Sequence, residues 1–320
     1  MEKILISRRL PDVVLEAAHA RFDVTLRDDT TPMTAAECIS ALRDYDGVLP
    51  TLGDMFTDDI FAGVSEPRAK IIANFGVGYN HINVASAQAA GLSVTNTPGA
   101  VTDATADIAL TLMLMSARRA AEGERLVRSG NWHGWHPTQM LGMHMSGKTL
   151  GVIGMGRIGK AIAKRAHFGF GMDVVFYNRS VVSGLGMQAH QLDTIHDVMA
   201  VADIVVVAVP GAPQTHHLID AAAFFAMQSH AHLVNISRGD VVDESALIAA
   251  LQSNQIAGAG LDVYEHEPRV PDALRALDNV TLLPHLGTAA LDVRTDMGLM
   301  ALGNLVDFFD GKTPPNIVSV

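Results

Sequence analysis

Cysteine is nearly absent from these 320 residues, with Cys38 standing alone. No disulfide can form within the chain, so a reducing, cytoplasmic setting is expected. Aromatic residues make up only 5%, and the two Trp, Trp132 and Trp135, fall in one short segment. Basic residues are outnumbered, with 23 Lys and Arg against 34 Asp and Glu and a formal charge of −11. That deficit argues against nucleic-acid partners, whose phosphates recruit Lys and Arg. It leaves room for a small anionic substrate, because one well-placed Arg can bind a carboxylate. Long apolar runs are missing as well. The most apolar stretches, near 104–117 and 200–210, carry Asp107 and Asp203 and are too short to span a bilayer. Charge also interrupts the first nine residues too early for a signal-peptide core. No membrane partner is expected.

What remains is 48% apolar, enough for two well-filled domains. Short aliphatic runs at 4–6, 48–49, 71–72 and 92–95 read as strands, with helical patterning between them. Thr34 stands as a helix cap before Ala35 and Glu37. A segment from about 103 to 121, rich in Ala, Leu and Met, predicts a long helix apolar over too wide a surface for a solvated face. It is expected between domains or against a partner subunit, which favours a homodimer. Beyond the Trp loop, six further strands are expected at 150–153, 174–177, 204–209, 233–236, 260–263 and 280–283. Alternation of this kind implies doubly wound parallel sheets built from βαβ units. A last helix, about 291–309, is expected to return to the first domain and make it discontinuous.

Gly154-Met155-Gly156-Arg157-Ile158-Gly159 sits directly between an expected strand and an expected helix. Gly154 permits the tight turn, Gly156 lets backbone approach a pyrophosphate, and Gly159 lets helix and strand pack closely. The helix N-terminus adds amides and partial positive charge, so the motif predicts dinucleotide binding. An acidic residue normally ends the second strand and holds the ribose hydroxyls. Here that place is Asn178, followed by Arg179 and Ser180; Asp173 has about the right spacing but precedes the strand. Either Arg179 is a solvated turn residue, or the turn accepts a 2′-phosphate, making NADP the preferred cofactor with NAD still usable.

Three polar residues follow strands of the second domain: Arg238, Glu267 and His285. Ligands in open α/β sheets bind beyond the carboxyl ends of the strands, where these residues can converge. Arg can grip a carboxylate, His can donate a proton near neutral pH, and a carboxylate can orient that His. Metal binding is not expected. His133-x-x-His136 and the adjacent His216-His217 have no Cys or carboxylate cluster at ligand spacing. Cys38 reads as buried and inert.

The chain resembles the D-isomer-specific 2-hydroxyacid dehydrogenases over essentially its whole length. The motifs that carry this are the glycine loop at 154–159, Asn235-Ile236-Ser237-Arg238-Gly239, Glu267-Pro268 and Pro284-His285-Leu286-Gly287. Segments 101–107 and 132–137 look most like the glyoxylate and hydroxypyruvate reductases of that family. The resemblance implies a Rossmann domain at 99–287, inserted in a flavodoxin-like substrate domain formed by 1–98 and 288–320. It implies reduction of a small 2-oxo acid, with Arg238 as substrate ligand, His285 as acid/base and Glu267 as its orienting partner. Leu52, Gly53, Gly76, Val77 and Gly78 are implied on the substrate, the last three through backbone amides. Thr105, Val209, Pro210, Thr215, Ile236, Ser237, Asp262 and Gly287 are implied around the cofactor, with Arg238 and His285 touching it too. Trp135 is either a packing anchor or a contributor to a dimer-related active site. Formate-type and phosphoglycerate-type dehydrogenases share the fold and stand as alternatives, as does a nucleotide-sensing, corepressor-like protein. Formate enzymes use Gln where Glu267 stands.

Overall fold

Alternation along strand β1 (Lys3–Ile6) sends Ile4 and Ile6 to one face of a sheet and Leu5 to the other. The same division continues through β3 (Gly47–Leu49), β4 (Ile71–Ala73) and β5 (Ser93–Thr95), whose residues are buried on both faces. Such strands read as short, continuous apolar runs because neither face meets water. The edge strand β2 (Asp23–Leu26) is partly exposed and alternates polar with apolar residues, so no continuous apolar run marked it in the sequence. These five strands are parallel and ordered β2-β1-β3-β4-β5. The computed structural model describes residues 1–319, and this sheet belongs to a unit formed by Met1–Val101 and the segment from Ala289 onward. The helix Leu291–Phe309 covers one face, where Gly298 lets it approach Val14; a β-carbon there would lie 2.7 Å from Val14 Cγ2. Thr34 caps the helix Ala35–Asp44 in a reciprocal box with Glu37, an arrangement worth about 1 kcal/mol. Cys38 on that helix is fully buried, and burial pushes its thiol up to about 12, which leaves it unreactive.

The second unit, Thr102–Thr288, is built on seven parallel strands. They are β6 (Thr149–Ile153), β7 (Asp173–Tyr177), β8 (His190–Gln191), β9 (Ile204–Val207), β10 (His232–Asn235), β11 (Gly258–Leu261) and β12 (Val280–Leu282). Their order is β12-β11-β10-β9-β6-β7-β8. The expected six strands are joined by β8, an edge strand of two residues with no apolar pattern to announce it. Asp173 opens β7 instead of preceding it, and it remains at the amino end, away from the ligand-binding edge.

The long apolar helix departs from expectation. It spans Thr102–Ala117, stops at Arg119 in a left-handed conformation (φ 53°), and a second helix runs Ala120–Arg128. Its wide apolar surface is covered within its own unit, against the helix Arg157–Phe170 and strands β10 to β12. Gly260 makes that contact close, since a β-carbon there would sit 2.9 Å from Leu112 Cβ. The breadth of this surface therefore reflects burial on two sides within the unit, while Leu114 stays exposed. Among the described residues, no helix is long and apolar enough to cross a membrane.

Beneath that helix, His232 is buried and its Nδ1 lies 2.8 Å from Ser116 Oγ. Burial pushes the imidazole down to about 4, and nearby His230 adds to the effect. The unfolded chain, titrating near 6.5, then binds more protons than the fold between about pH 6.5 and 4. Stability from this group is complete above that window and is lost as pH falls through it. The loss reaches on the order of 3 kcal/mol. Denaturant unfolding of His232→Gln should show a shallower acid decline than the wild type over this window. Identical slopes would remove His232 as the cause.

Candidate active site

Strand β6 ends at Ile153, and Gly154 turns the chain with φ 100°. A β-carbon at Gly154 would press to 2.8 Å from the Ala208 carbonyl oxygen, and one at Gly159 to 2.1 Å from the Gly154 carbonyl oxygen. Both positions demand glycine for close approach. Gly156 differs, because nothing lies within 4 Å of its would-be β-carbon. That open space adjoins the N-terminus of the helix Arg157–Phe170, whose first turn has no acidic residue. An unobstructed backbone at the positive end of a helix fits a dinucleotide pyrophosphate. Arg157 and Ile158 form the first helical turn, and the Met155 N–H donates to Asn178 Oδ1 at 3.2 Å.

Asn178 follows the last residue of β7 and is locked in place. Its Nδ2 donates to the Ser180 carbonyl and hydroxyl oxygens, while Gln191 Nε2 on β8 donates to the carbonyls of Asn178 and Ser180, both at 3.1 Å. Arg179 is exposed on this fixed turn. Gln191 went unnoticed in the sequence because β8 carries no strand signal.

Beyond β9, Val209 and Pro210 enter a turn that Thr215 closes. The Ala212 N–H donates to Thr215 Oγ1 at 2.9 Å, and that hydroxyl donates to the Pro210 carbonyl at 2.8 Å. The Ser237 hydroxyl donates to the Val209 carbonyl, joining this turn to the one that leaves β10 through Ile236. There, Asn235 accepts from the Ser237 N–H and donates to the Arg238 carbonyl. Arg238 Nη1 donates to the Ser237 carbonyl at 2.8 Å, and Gly211 makes room for its stem. Burial lowers the affinity of this guanidinium for its proton, while Glu267 and Asp240 pull the other way. Gly239 brings the following turn against the Tyr264 backbone so closely that any side chain would collide.

Glu267 and His285 meet. His285 Nδ1 is 2.8 Å from Glu267 Oε2, and the other carboxylate oxygen accepts the Tyr264 N–H at 3.0 Å. Burial works to raise the Glu267 carboxyl, but the His285 hydrogen bond, the Tyr264 N–H and Arg238 outweigh it and hold the group below the usual carboxylate range. His285 adopts φ 54°, fixed on one side by its N–H donating to the Asp262 carbonyl. The Asp262 carboxylate accepts the N–H groups of Leu286 and Gly287 at 2.6 and 2.8 Å, while burial pushes its own pKa up. Thr105 Oγ1 donates to the Gly287 carbonyl at 3.2 Å. Thus Glu267 and His285 are bonded to each other, His285 to Asp262, Asp262 to Gly287 and Gly287 to Thr105, and Arg238 beyond β10 is within electrostatic reach of Glu267.

In the first unit, Asn74 Nδ2 donates to the carbonyls of Gly76 and Gly78, and Asn96 Nδ2 donates to that of Val77. Because each peptide is trans and planar, turning the 76 and 77 carbonyls inward turns the Val77 and Gly78 N–H groups outward. The Gly76 N–H is used by the Asn74 carbonyl, so only two of the three expected amides are free to bind an anion. Leu52 and Gly53 (φ 94°) lie on a turn held by Arg8, which donates to the Leu52 carbonyl at 2.9 Å and pairs with fully buried Asp54. Arg8 and Asp54 gave no motif to find. Trp135 is 78% exposed, which rules it out as a packing anchor within its own chain.

Residues 110–287 match the family described as D-isomer specific 2-hydroxyacid dehydrogenase, NAD binding domain. The chain belongs to that family. Glyoxylate reductases of Pyrococcus horikoshii and Thermococcus kodakarensis are 39% and 40% identical to this dehydrogenase, covering 99% of its chain and 96% of theirs. The solved NADPH-dependent glyoxylate/hydroxypyruvate reductase of Sinorhizobium meliloti, in complex with NADP and malonate, is 33% identical with a TM-score of 0.87. That match covers 99% of this chain and 97% of the other. The dehydrogenase is an NAD(P)-dependent oxidoreductase that reduces a 2-oxo acid by hydride transfer.

Proposed function

We propose that this dehydrogenase reduces glyoxylate and hydroxypyruvate to their 2-hydroxy acids, with NADPH preferred over NADH. The observation that carries the reading is the His285–Glu267 pair at 2.8 Å, with Arg238 within electrostatic reach of Glu267. When bound, the reduced nicotinamide supplies the hydride that adds to the carbonyl carbon. Negative charge then grows on the carbonyl oxygen, and the Arg238 guanidinium stabilises it while its fork holds the substrate carboxylate. Ionised Glu267 occupies His285 Nδ1, orients the ring, and leaves Nε2 to deliver the proton. The outward amides of Val77 and Gly78 are further donors for a carboxylate, with Leu52 and Gly53 as neighbouring substrate contacts. Asp262, Thr105, Gly287, Ile236, Ser237, Val209, Pro210 and Thr215 are proposed around the cofactor. We read the 2-1-3-4-5 strand order as a flavodoxin-like substrate domain, and the single buried cysteine supports a cytoplasmic setting. Initial rates with glyoxylate, hydroxypyruvate, pyruvate and bulkier 2-oxo acids test the reading. The first two should give the highest kcat/KM, and a preference for bulky acids would overturn it.

The preference for NADPH rests on the 178–180 turn. An acidic residue there would accept from ribose hydroxyls and repel a 2′-phosphate; Asn178 offers no such repulsion. Arg179 adds a cation and Ser180 a hydroxyl on a turn already ordered by Gln191. A charge-assisted contact of this kind contributes about 1.5–3 kcal/mol, or roughly 10- to 150-fold in affinity. Arg179→Ala should remove most of the preference, high salt should weaken it, and Asn178→Asp should reverse it. Equal kcat/KM with both cofactors, unaltered in Arg179→Ala, would mean that the turn is merely solvated.

We also propose a homodimer held through the segment that follows the Thr102–Ala117 helix. Val127, Trp135 and Leu141 there are 60%, 78% and 66% exposed, an apolar load that association would cover. Sedimentation at micromolar concentration should give twice the chain mass. A species near 34.0 kDa would contradict it.

A further inference from the structure

We propose that His216, His217 and Glu265 form a binding site for a divalent transition-metal ion of the zinc class. The adjacent histidines have no Cys or carboxylate cluster at ligand spacing in the sequence, and the expectation that metal binding is absent rested on that. The fold supplies one. Glu265 lies 48 positions beyond His217, yet its Oε1 is 3.0 Å from His217 Nε2. The His216 ring stacks on that of His217, with centroids 3.9 Å apart and planes 25° from parallel. One ligand atom from each of the three lies within 4.8 Å of the others, and among the described residues this is the one such group of three or more.

The donor set decides the class of ion. Two imidazoles and a carboxylate, with water in the fourth position, suit zinc and its neighbours, whereas magnesium and calcium prefer oxygen ligands alone. Tetrahedral zinc with bonds of about 2.0–2.1 Å places its ligand atoms about 3.3 Å apart. The cluster therefore closes by no more than about 1.5 Å, and His216, the exposed member, is free to make that movement. His217 is already set, because its backbone takes a left-handed conformation (φ 49°) and its N–H donates to the Asp240 carbonyl at 2.8 Å. Buried Glu244 lies beside Glu265, with its Oε2 3.5 Å from the Glu265 N–H, so a cation here also relieves repulsion between two carboxylates.

None of the three ligands takes part in the proposed reduction. Their positions tie three segments together: the turn closed by Thr215, Asp240 two residues after Arg238, and Glu265 two residues before Glu267. A bound ion fixes these segments relative to one another and stabilises the fold.

Calorimetric titration of the metal-free full-length protein with Zn²⁺, and separately with Mg²⁺, tests the site. The wild type should bind Zn²⁺ but not Mg²⁺ here, and its thermal unfolding should shift upward with Zn²⁺. His216→Ala and Glu265→Gln should each weaken that binding at least about 10-fold and abolish the shift. Melting of each variant without metal checks that it folds. His216 is exposed, so its variant keeps the test valid even if Glu265→Gln is destabilised. Zn²⁺ affinity unchanged in His216→Ala would place the ion on others of the fourteen histidines and overturn the proposal. So would absence of binding, equal binding of Mg²⁺, or a loss confined to one of two folded variants.

Discussion

Replacing His285 with alanine should lower the rate of 2-oxo acid reduction by about 10²–10⁴-fold while leaving cofactor affinity close to that of the wild type. The ring follows β12 and has the Glu267 carboxylate on Nδ1, which leaves Nε2 for the carbonyl oxygen. Removing it takes away the proton and part of the charge stabilisation at the carbonyl oxygen. It leaves the glycine loop that follows β6 and the helix N-terminus beyond it unaltered. Fluorescence titration with NADPH beside steady-state kinetics separates the two effects. Near-normal turnover in this variant would remove His285 from the mechanism, and an equal loss of cofactor binding would make its contact with the cofactor, rather than proton delivery, its main contribution.

Arg238→Lys tests the fork rather than the charge. Lysine keeps one positive charge but offers a single ammonium where the guanidinium presents paired donors in a plane. The side chain runs through a tight passage, where a β-carbon on Gly211 would approach Arg238 Cγ to 2.7 Å, so its geometry is set by its surroundings. Loss of a donor aimed at a developing oxyanion costs about 10²–10³ in kcat. The KM for glyoxylate should rise as well, because the carboxylate loses its bidentate partner. An unchanged KM would assign the carboxylate to the Val77 and Gly78 amides alone.

Local patterns carried most of what the sequence disclosed. The glycine loop was legible because its three glycines do three separate jobs within six residues of chain, and the structure shows a distinct steric reason at Gly154 and Gly159 and open space at Gly156. Buried parallel strands were legible as apolar runs, while the edge strands β2, half polar, and β8, two polar residues long, were not. Arg238, Glu267 and His285 could be nominated because each follows a strand, but the Tyr264 N–H that holds Glu267 and the Gly211 that admits Arg238 left no pattern. The helix Thr102–Ala117 misled for a physical reason, since an all-round apolar surface reports burial without naming the neighbour. The approach of Glu265 to His217 was invisible for the same reason, since it depends on how the turns after β9 and β11 meet.

Transfer of the label from [4-²H]NADPH to hydroxypyruvate tests the central claim most directly. With both C4 hydrogens of the coenzyme deuterated, the account predicts glycerate of the D configuration with one deuterium on C2 and none exchanged with water, because hydride passes directly to the carbonyl carbon and His285 supplies only the hydroxyl proton. L-glycerate, or a C2 position bearing solvent hydrogen, would contradict it.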